Sequence, residues 1–535
     1  MRSRLQAAHS ASRRSTSAIL VLLFGSALAP LTAVLSPVLF AGSFTSAVET
    51  IHKRELRQHC AVLASDTFEG RETGTHGGEA AGTYIAGELR KHPRALPAAA
   101  DGDYFQPVPP RSRNVLVRIP GSDPVLKSEY VVVGAHYDHV GYGDARNSRG
   151  PIGYIHNGAD DNASGTAALL ELVEAFCSLD VTPKRSLLFI FWDGEEEGLL
   201  GSQYWMTAPT VPLDRIRLAF NIDMIGRLRE NRAEVFGTRS APGLRRFLSS
   251  QNIESPVALN FTWETRRDSD HYSFFAQQIP YLMIFTGKHP EYHTPYDDVE
   301  KLNVDGIERI TRLLFRTVYA AAQQPALPPF RPAAFREGAQ SQAEAEGARP
   351  DPPARLGVTW DEARAKQNVI QVTEIDSGSA AESAGFQIGD RIVRFDGVRI
   401  SSSDTVRQAV LAAGDPVIAV VERNDSQSPI VLTIHLHGSA NPIGIFCRVD
   451  DAEPGCAIVN RVAPGSPASR SGLHVNDRIE KIARSTFGSP QEFEAILAAQ
   501  RGPFEIQTER DGEIQVLQIV PSPRRDARKV SPSSP

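Results

Sequence analysis

Imidazole and carboxylate side chains recur directly after short apolar segments over residues 131–293 of this 535-residue sequence. Each apolar run has the length of a buried strand, and each is followed by His, Asp or Glu. The residues concerned are His136, Asp161, Glu196, Asp223 and His293. Imidazole nitrogens and carboxylate oxygens together suit Zn²⁺ and similar ions. Two histidines and three carboxylates exceed the needs of one tetrahedral ion, so they predict two ions that share a bridging carboxylate.

The chemistry of such a pair of ions is hydrolytic. Two ions can hold a hydroxide, polarise a carbonyl group and stabilise the tetrahedral oxyanion that follows. The reaction also needs a carboxylate that moves a proton, and Glu195, next to Glu196, is the natural general base. The opposing interpretation is that these are hydrogen-bonded loop histidines and solvated acids. That interpretation suits one such cluster better than three in succession.

Alternating strands and helices must position these clusters. Strands are predicted at residues 114–119, 129–135, 186–192, 217–224 and 280–285. Ser164 is predicted to cap a helix that extends to about residue 178, and a helix at about 304–322 would close the domain. This order predicts an α/β domain with a mostly parallel mixed sheet and helices on both faces. In open α/β sheets ligands bind at the carboxyl ends of the strands, where the clusters would converge.

The N-terminal segment has the pattern of an export signal. Basic residues precede a long apolar run, and no charged residue lies between Arg14 and Glu49. We expect residues 1–46 to be a secretory signal, with an uncleaved membrane anchor as the alternative. The protein is therefore predicted to be exported: periplasmic, extracellular or anchored on the outer side of a membrane.

Charge and cysteine content exclude some classes of function. The net charge of −6 is mild for this length and gives no reason to expect nucleic acid as a partner. The four cysteines form no zinc-finger spacing, and the chain is not a disulfide-dense scaffold. A disulfide between Cys447 and Cys456 remains open from the sequence.

The C-terminal half differs in composition and contains an internal repeat. Residues 325–353 are rich in Pro, Ala, Gln and Glu and are predicted to be a flexible linker. Beyond them, the stretch from Ala384 to Ile392 matches that from Ser471 to Ile479. We expect two copies of one small module, at residues 354–437 and 440–522, followed by a disordered tail at residues 523–535.

The order of strands and clusters resembles the co-catalytic di-zinc aminopeptidases of peptidase clan MH. The resemblance extends from about residue 48 to residue 322 and includes the Glu69-Gly70-Arg71 loop. It implies a zinc aminopeptidase-like fold for residues 47–324 and two divalent metal ions, expected to be Zn²⁺. It further implies that Asp161 bridges the ions. His136 and Asp223 would complete the site of one ion, and Glu196 and His293 that of the other.

The same resemblance assigns the remaining candidate residues. Glu195 falls on the family's general base, and Glu197 is an extra acid. Asp138 matches a carboxylate that orients the imidazole of His136 and raises its basicity. Tyr292 lies where some members direct a Tyr hydroxyl at the oxyanion, although a packing role is equally consistent. The histidines at 139, 156, 271 and 289 have no ligand role in this pattern.

The two repeats resemble PDZ domains. Leu356-Gly357-Val358 and Ile443-Gly444-Ile445 lie where PDZ domains place the loop that receives a peptide carboxylate. The resemblance implies two small β-rich PDZ-like domains that bind peptides or protein C-termini as an added strand. The alternatives are packing on the catalytic domain and self-association.

These features predict an exported metallo-aminopeptidase that hydrolyses the N-terminal bond of peptides with free N-termini. A glutaminyl cyclase-like acyltransferase is an alternative, because those enzymes share the fold and a stretch much like Asp193 to Glu196. A catalytically inert PDZ scaffold is a third. Because all candidate ligands precede residue 325, a chain that ends near Gln324 is expected to fold and retain activity on small substrates.

Overall fold

The computed structural model describes residues 36–349 and 354–522. Most of the predicted export segment and the whole predicted C-terminal tail lie outside the described residues. Within the described part, no helix is both long enough and apolar enough to cross a membrane. The described residues form an α/β domain, a connecting segment and two β-rich modules.

A nine-stranded mixed sheet forms the centre of the α/β domain. Its strands are β1 (Leu96–Pro97), β2 (Phe105–Val108), β3 (Ser112–Ile119), β4 (Tyr130–His136), β5 (Ser186–Trp192), β6 (Ile216–Ile222), β7 (Arg232–Phe236), β8 (Ala258–Phe261) and β9 (Tyr281–Phe285). The main order is β1-β3-β5-β4-β6-β9-β7-β8, and β2 also pairs with β3. The central strands β5, β4, β6 and β9 are parallel, whereas β3 joins β5 and β7 joins β9 in antiparallel fashion.

Helices cover both faces of this sheet. They are α1 (Ser36–Thr50), α2 (Lys53–Leu63), α3 (His76–Leu89), α4 (Gly165–Ser178), α5 (Leu200–Thr207), α6 (Leu244–Ser249), α7 (His271–Ala276) and α8 (Val304–Gln323). Leu169 of α4 and Ile310 of α8 belong to the larger core cluster. Trp205 of α5 and Phe274 of α7 belong to a second cluster. Every residue of β5 is buried. Because successive strand residues point to opposite faces, those from Leu187 to Trp192 alternate between the two clusters.

The predicted fold class is confirmed: the domain is a mixed α/β sheet between helices. The predicted strand at 186–192 has the observed bounds, and the other four differ by a few residues. Ser164 does not cap α4, however. Its hydroxyl donates to Asp160, and the N–H of Gly165 is instead accepted by the Asn162 side chain at 3.0 Å. A π-helical turn, Ala159–Ser164, leads directly into α4 and replaces the predicted cap.

Helix α1 crosses the predicted boundary between export segment and domain at residue 46. Ala47 and Val48 are buried in the larger core cluster. The ring of Phe44 lies 5.5 Å from that of Phe315 and 4.8 Å from that of Tyr319, both on α8. The α/β domain therefore packs against a helix that begins within the segment predicted to be the export signal.

The prediction of a flexible linker at residues 325–353 is wrong for its described part, residues 325–349. This segment forms helix α9 (Ala339–Gly347) and packs on the α/β domain. The ring of Phe335 lies 4.5 Å from that of Phe275, and Glu337 accepts from Arg239 at 2.6 Å. The low hydrophobicity of the segment indicated a linker. Its packing depends on a few aromatic rings and charge pairs, which the overall composition does not reveal.

The two modules follow with the same general layout. The first contains β10 (Val358–Trp360), α10 (Glu362–Ala365), β11 (Val372–Ile375), α11 (Ala380–Ala384), β12 (Arg391–Phe395), β13 (Val398–Arg399), α12 (Ser403–Ala412), β14 (Val417–Glu422) and β15 (Ile430–Ile434). The second contains β16 (Ile445–Arg448), β17 (Ala457–Val462), α13 (Pro467–Arg470), β18 (Arg478–Ile482), α14 (Pro490–Ala499), β19 (Phe504–Arg510) and β20 (Glu513–Ile519). Each has its own core cluster, and all four cysteines of the chain are free thiols.

The second module docks on the β7–β8 edge of the α/β sheet. Buried Arg245, on α6, donates to Glu509 of β19 at 2.8 Å. The backbone N–H of Leu259, on β8, donates to the carbonyl of Asp511 at 2.7 Å. Arg239 contributes a further bidentate contact with Asp450, with both distances at 2.9 Å. Backbone and charge contacts together fix this module to the α/β domain.

Candidate metal centre

The candidate ligands converge at the carboxyl ends of the parallel strands. His136 is the last residue of β4, and Glu196 and Asp223 follow β5 and β6 directly. Asp161 lies in the π-helical turn before α4, and His293 lies in the loop after β9. The parallel strands bring these residues together because their carboxyl ends share one edge of the sheet.

The ligand atoms form two groups that share Asp161. In one group, His136 Nε2 lies 3.4 Å from Asp161 Oδ1 and 3.4 Å from Asp223 Oδ1. In the other, His293 Nε2 lies 3.0 Å from Asp161 Oδ2 and 3.2 Å from Glu196 Oε2. Within each group the atoms are close enough to surround one ion. Asp161 thus presents one carboxylate oxygen to each group, as a bridging ligand would.

The charges in this centre are strongly coupled. Burial alone would lower the pKa of His136, but the carboxylates of Asp223 and Glu195 outweigh it and raise the pKa well above its ordinary value. Burial also acts to lower the pKa of His293, yet Glu196 and Asp161 raise it to about 10. Burial would raise the pKa of Glu196, but the nearby His293 holds it well below its usual range.

The residues fit divalent cations. Carboxylates with little exposure are normally paired or coordinate metal ions. The carboxylates of Asp161, Glu196 and Asp223 each lie within 3.4 Å of a candidate histidine ligand. The buried Nε2 atom of His293 faces two carboxylate oxygens without hydrogen-bond geometry to either. Nitrogen and oxygen ligands without thiolate suit zinc among the common divalent metals. His136, Asp161 and Asp223 would hold one ion, with Asp161, Glu196 and His293 around the other.

Glu195 lies beside both groups and belongs to neither. Burial raises the pKa of its carboxyl well above the ordinary value, and the neighbouring carboxylate of Glu196 adds to the shift. Its backbone N–H donates to Asp138 Oδ1 at 3.1 Å, which fixes its place. Glu197, by contrast, is exposed and pairs with Arg111 at the surface. Of these two acids, only Glu195 can reach a reacting group in the centre.

Asp138 is fully buried and lies next to the candidate ligand His136. Its Oδ1 lies 3.6 Å from His136 Nδ1, while the shorter contact of that nitrogen, 3.3 Å, is to the Asp138 carbonyl. Its carboxylate also accepts the backbone N–H groups of Glu195 and Glu196 at 3.1 and 3.2 Å. Asp138 therefore links the ligand on β4 to the acidic pair after β5, a connection that the sequence did not reveal.

Tyr292 stacks on the ligand that follows it. Its ring centroid lies 3.9 Å from that of His293, and Arg149 and Lys288 place their cationic groups 4.7 and 4.5 Å from the Tyr292 ring. Burial, and then the carboxylate of Asp161, raise the pKa of the Tyr292 hydroxyl. The hydroxyl therefore remains protonated and can donate a hydrogen bond.

His139 is brought into the centre, although the sequence pattern gave it no ligand role. Its Nδ1 lies 2.9 Å from Glu196 Oε1 and 3.8 Å from Asp161 Oδ2. His156 instead contacts Ser148 in a loop, and His289 lies 3.3 Å from Asp160. The available signal was the position of His139 only three residues after His136, at the carboxyl end of β4.

A buried arginine fixes the bridging segment. Arg71 is fully buried, and its guanidinium donates only to backbone carbonyls. Among them are those of Gly158 at 3.0 Å and Asp161 at 3.3 Å. From the opposite side, Asp297 Oδ2 accepts the backbone N–H of Asp161 at 3.1 Å. The Glu69-Gly70-Arg71 loop thus positions the carboxylate that both groups share.

The sheet and these groups together define a mixed α/β domain with two groups of candidate metal ligands. Residues 114–318 match the model of Peptidase family M28, and residues 371–423 match that of a PDZ domain. The chain therefore contains an M28 peptidase domain followed by a PDZ domain. The sequence resemblance implied two PDZ domains, and the matched residues lie in the first of the two modules.

Curated relatives are similar over part of the chain. Aminopeptidase YwaD of Bacillus subtilis is 28% identical over 210 residues, which are 37% of this chain and 43% of the relative. Leupeptin-inactivating enzyme 1 of Streptomyces exfoliatus is 29% identical over 175 residues, 32% of this chain and 36% of the relative. The probable glutamate carboxypeptidase AMP1 of Arabidopsis thaliana is 28% identical over 35% of this chain and 26% of the relative. The alignments thus span less than half the length of these three relatives.

Two solved structures match about half of the chain. The LapA aminopeptidase of Legionella pneumophila is 18% identical, with a TM-score of 0.44, over 53% of this chain and 75% of that one. A Zn-dependent exopeptidase from Parabacteroides distasonis is 22% identical, with a TM-score of 0.40, over 50% of this chain and 98% of that one.

Proposed function

We propose that the protein is a metallo-aminopeptidase that uses two divalent ions, expected to be Zn²⁺, to remove residues from the free N-termini of peptides. The observation that carries the proposal is the division of the Asp161 carboxylate between two ligand groups, with Glu195 half-buried beside both. The aminopeptidase relatives support the N-terminal preference, while the relative named as a probable carboxypeptidase makes that preference a point to test.

The proposed reaction combines the Lewis acidity of the metal ions with proton transfer and hydrogen bonding by side chains of the protein. When bound, the ions supply Lewis acidity for the attacking water and the peptide carbonyl. Glu195 accepts the proton of that water and passes it to the departing amine, because it is half-buried beside both ligand groups and belongs to neither. The protonated hydroxyl of Tyr292 donates to the developing oxyanion. Asp138 holds His136 and the Glu195–Glu196 backbone in register.

The C-terminal modules are proposed to hold polypeptides near this site. The first contains the matched PDZ domain, and the mode of such a domain is the addition of an extended peptide to a strand. Capture near the catalytic centre would raise the local concentration of substrate without altering the chemistry. Export, as a secreted or membrane-anchored protein, is proposed from the basic and apolar pattern of residues 1–46 alone.

A panel of aminoacyl-anilides, each with a free or an acetylated N-terminus, tests the proposed reaction. The protein, loaded with Zn²⁺, is expected to cleave the free forms and to leave the acetylated forms intact. A peptide with N-terminal Gln belongs in the same panel, since release of a cyclised product would indicate acyl transfer instead. Equal cleavage of free and acetylated substrates would contradict an aminopeptidase.

A further inference from the structure

A cavity of about 860 Å³ lies between strand β16 and helix α14 of the second module and extends to Arg355 and Leu411 of the first module. Its lining includes the apolar side chains of Ile445, Phe446, Phe487, Phe493 and Leu497. A volume of this size is typical of ligand sites in proteins. β16 is the end strand of its five-stranded sheet, and within the described residues no strand pairs with its outer edge. The cavity therefore borders an edge to which an extended chain can add.

The loop that leads into β16 has the same backbone conformation as its counterpart in the first module. Gly444 and Gly357 have φ angles of 75° and 77°, and a Cβ atom on either would meet a serine Cβ at 2.5 or 2.3 Å. The carbonyls of Ile443 and Leu356 accept equivalent backbone hydrogen bonds. Successive backbone N–H groups in such a loop form a concavity that suits an anion.

In the second module, a side chain of the protein itself already uses these donors. Asn441 Oδ1 accepts the N–H groups of Gly444 at 2.9 Å and Ile445 at 3.2 Å, and its Nδ2 donates to the Ile445 carbonyl. The residue at the same offset in the first module is Ala354, whose methyl group accepts nothing. The amide of Asn441 thus occupies the place of a peptide carboxylate in the second module.

The positive charge at this end of the cavity is also engaged. Arg355 lines the cavity, yet its guanidinium donates five hydrogen bonds, all to backbone carbonyls. The acceptors are His437, Val410, Leu411, Ala413 and Gly438. Because five is the number of N–H donors of an arginine, none remains for a ligand carboxylate.

Unsatisfied donors lie on β16 instead. Arg448 lines the cavity and donates through Nη1 to Asp450 at 3.2 Å. Its Nε and Nη2 atoms are buried and have no hydrogen-bond partner among the described residues. Buried donors without a partner are costly, so an acceptor supplied by a ligand would stabilise this site.

The acids near Arg448 do not fill this role, because other arginines hold them. Asp450 is bound by Arg239, and Asp451 by Arg331. Glu453 is likewise paired with Arg478 at 3.2 Å. Within the described residues, these acids offer Arg448 no further acceptor, so a ligand in the cavity is able to supply one.

We propose that this cavity binds an internal, extended segment of a polypeptide rather than a free C-terminus, with an acidic side chain of that segment against Arg448. The bound segment adds to the edge of β16, and Asn441 excludes a terminal carboxylate from the loop. The proposal extends the proposed role of the modules in capturing polypeptides. Peptide binding in the cavity does not depend on the peptidase reaction, so the binding experiment can disprove the one proposal without affecting the other.

Binding of defined peptides to the full chain tests the proposal. The probes are N-acetylated, fluorescein-labelled apolar nonapeptides with one central Glu, in amidated and free-acid forms, and the same peptides with Gln. Acetylation protects them from aminopeptidase trimming. Fluorescence anisotropy measures affinity, and a photoreactive version with mass spectrometry assigns each binding event to one module. The variants are Asn441→Ala, Arg448→Gln and, as the matched control in the first module, Ala354→Asn.

For the second module we expect amidated and free-acid Glu peptides to bind within about twofold of each other. Asn441→Ala should create a preference of about tenfold for the free acid, and Arg448→Gln should remove the preference for Glu over Gln. Ala354→Asn should leave binding at the second module unchanged. A tenfold preference for the free acid in the unmodified protein would overturn the proposal. So would an Arg448→Gln variant that keeps the preference for Glu, a result that stands even if Asn441→Ala fails to fold.

Discussion

The two carboxylate oxygens of Asp161 face two different histidines. Oδ1 lies 3.4 Å from His136 Nε2, and Oδ2 lies 3.0 Å from His293 Nε2. One side chain therefore joins the group from the adjacent strands β4 and β6 to the group that follows β5 and β9, the strands on either side of that pair. Because Asp161 belongs to both groups, its loss should affect the candidate metal centre more than the loss of either histidine.

Asp161→Ala should abolish binding of both ions, whereas His293→Ala should weaken mainly one. The reason is that only Asp161 contributes to both groups, and its loss leaves two cations to repel each other. Elemental analysis after dialysis against a weak chelator gives the metal content of each variant. Equal loss of metal in the two variants would contradict the bridging assignment.

Asp138→Asn should lower metal affinity or activity by about 10–100-fold, the usual effect of altering a group that supports metal ligands. An amide keeps the shape but cannot accept the Glu195 and Glu196 N–H groups with both of its terminal atoms. Titration with Zn²⁺ and steady-state kinetics measure the two effects. Glu197→Gln, at the surface salt bridge with Arg111, serves as the control and should behave like the unmodified protein.

Arg245→Met should destabilise the docked second module. It would leave Glu509 buried without its closest cation, and breaking a buried ion pair costs about 3–5 kcal/mol. We expect a lower melting temperature and greater protease sensitivity near residues 245 and 509. The double variant with Glu509→Gln should recover much of the loss, because no unpaired charge remains. A single variant as stable as the unmodified protein would show that the contact contributes little.

A chain that ends at Gln324 should be less stable than the full chain, contrary to the expectation from the sequence. It loses Phe330 and Phe335, which pack on Phe275, together with Glu337, which pairs with Arg239. Thermal unfolding and cleavage of a small aminoacyl-anilide measure stability and function. Equal melting temperature and activity would restore the interpretation of residues 325–349 as a dispensable linker.

The stability contribution of Glu171 should depend on pH. Burial, and then the nearby Glu174, raise the pKa of this carboxyl to about 8 in the folded protein, above its ordinary value near 4.5. The folded state therefore binds this proton more tightly, so the contribution is fully present below about pH 4.5 and is lost as the pH rises through 8. Relative to Glu171→Gln, the unmodified protein should lose thermal stability between pH 5.5 and pH 9. A constant difference would contradict the shift.

The parts of the fold that follow from local patterns were predictable. Continuous apolar runs such as 186–192 predict buried strands, and the residues directly after them predict where side chains converge. The sequence predicted the contact of Asp138 with His136 but not its contacts with the Glu195 and Glu196 backbone. Those contacts join segments that are far apart in the chain. The same holds for Arg71, whose acceptors are backbone carbonyls that carry no signal in the sequence.

The docking of the second module was not predictable for a related reason. β7 and β8 are short and contain polar residues, so their apolar pattern is weak. Their outer edge is completed by Asp511, from a module more than 200 residues farther along. Pairs such as Arg239 with Glu337 and Asp450 become meaningful only when the fold brings them together.

The central claim is that Glu195 moves the proton while other residues hold the ions. Glu195→Gln, measured for both metal content and turnover of an aminoacyl-anilide, tests it most directly. We predict that the variant retains both ions and that its activity falls by about 10²–10⁴-fold, the usual range for removal of a general base. A variant that keeps activity near that of the unmodified protein, or one that loses metal in parallel with activity, would contradict the account.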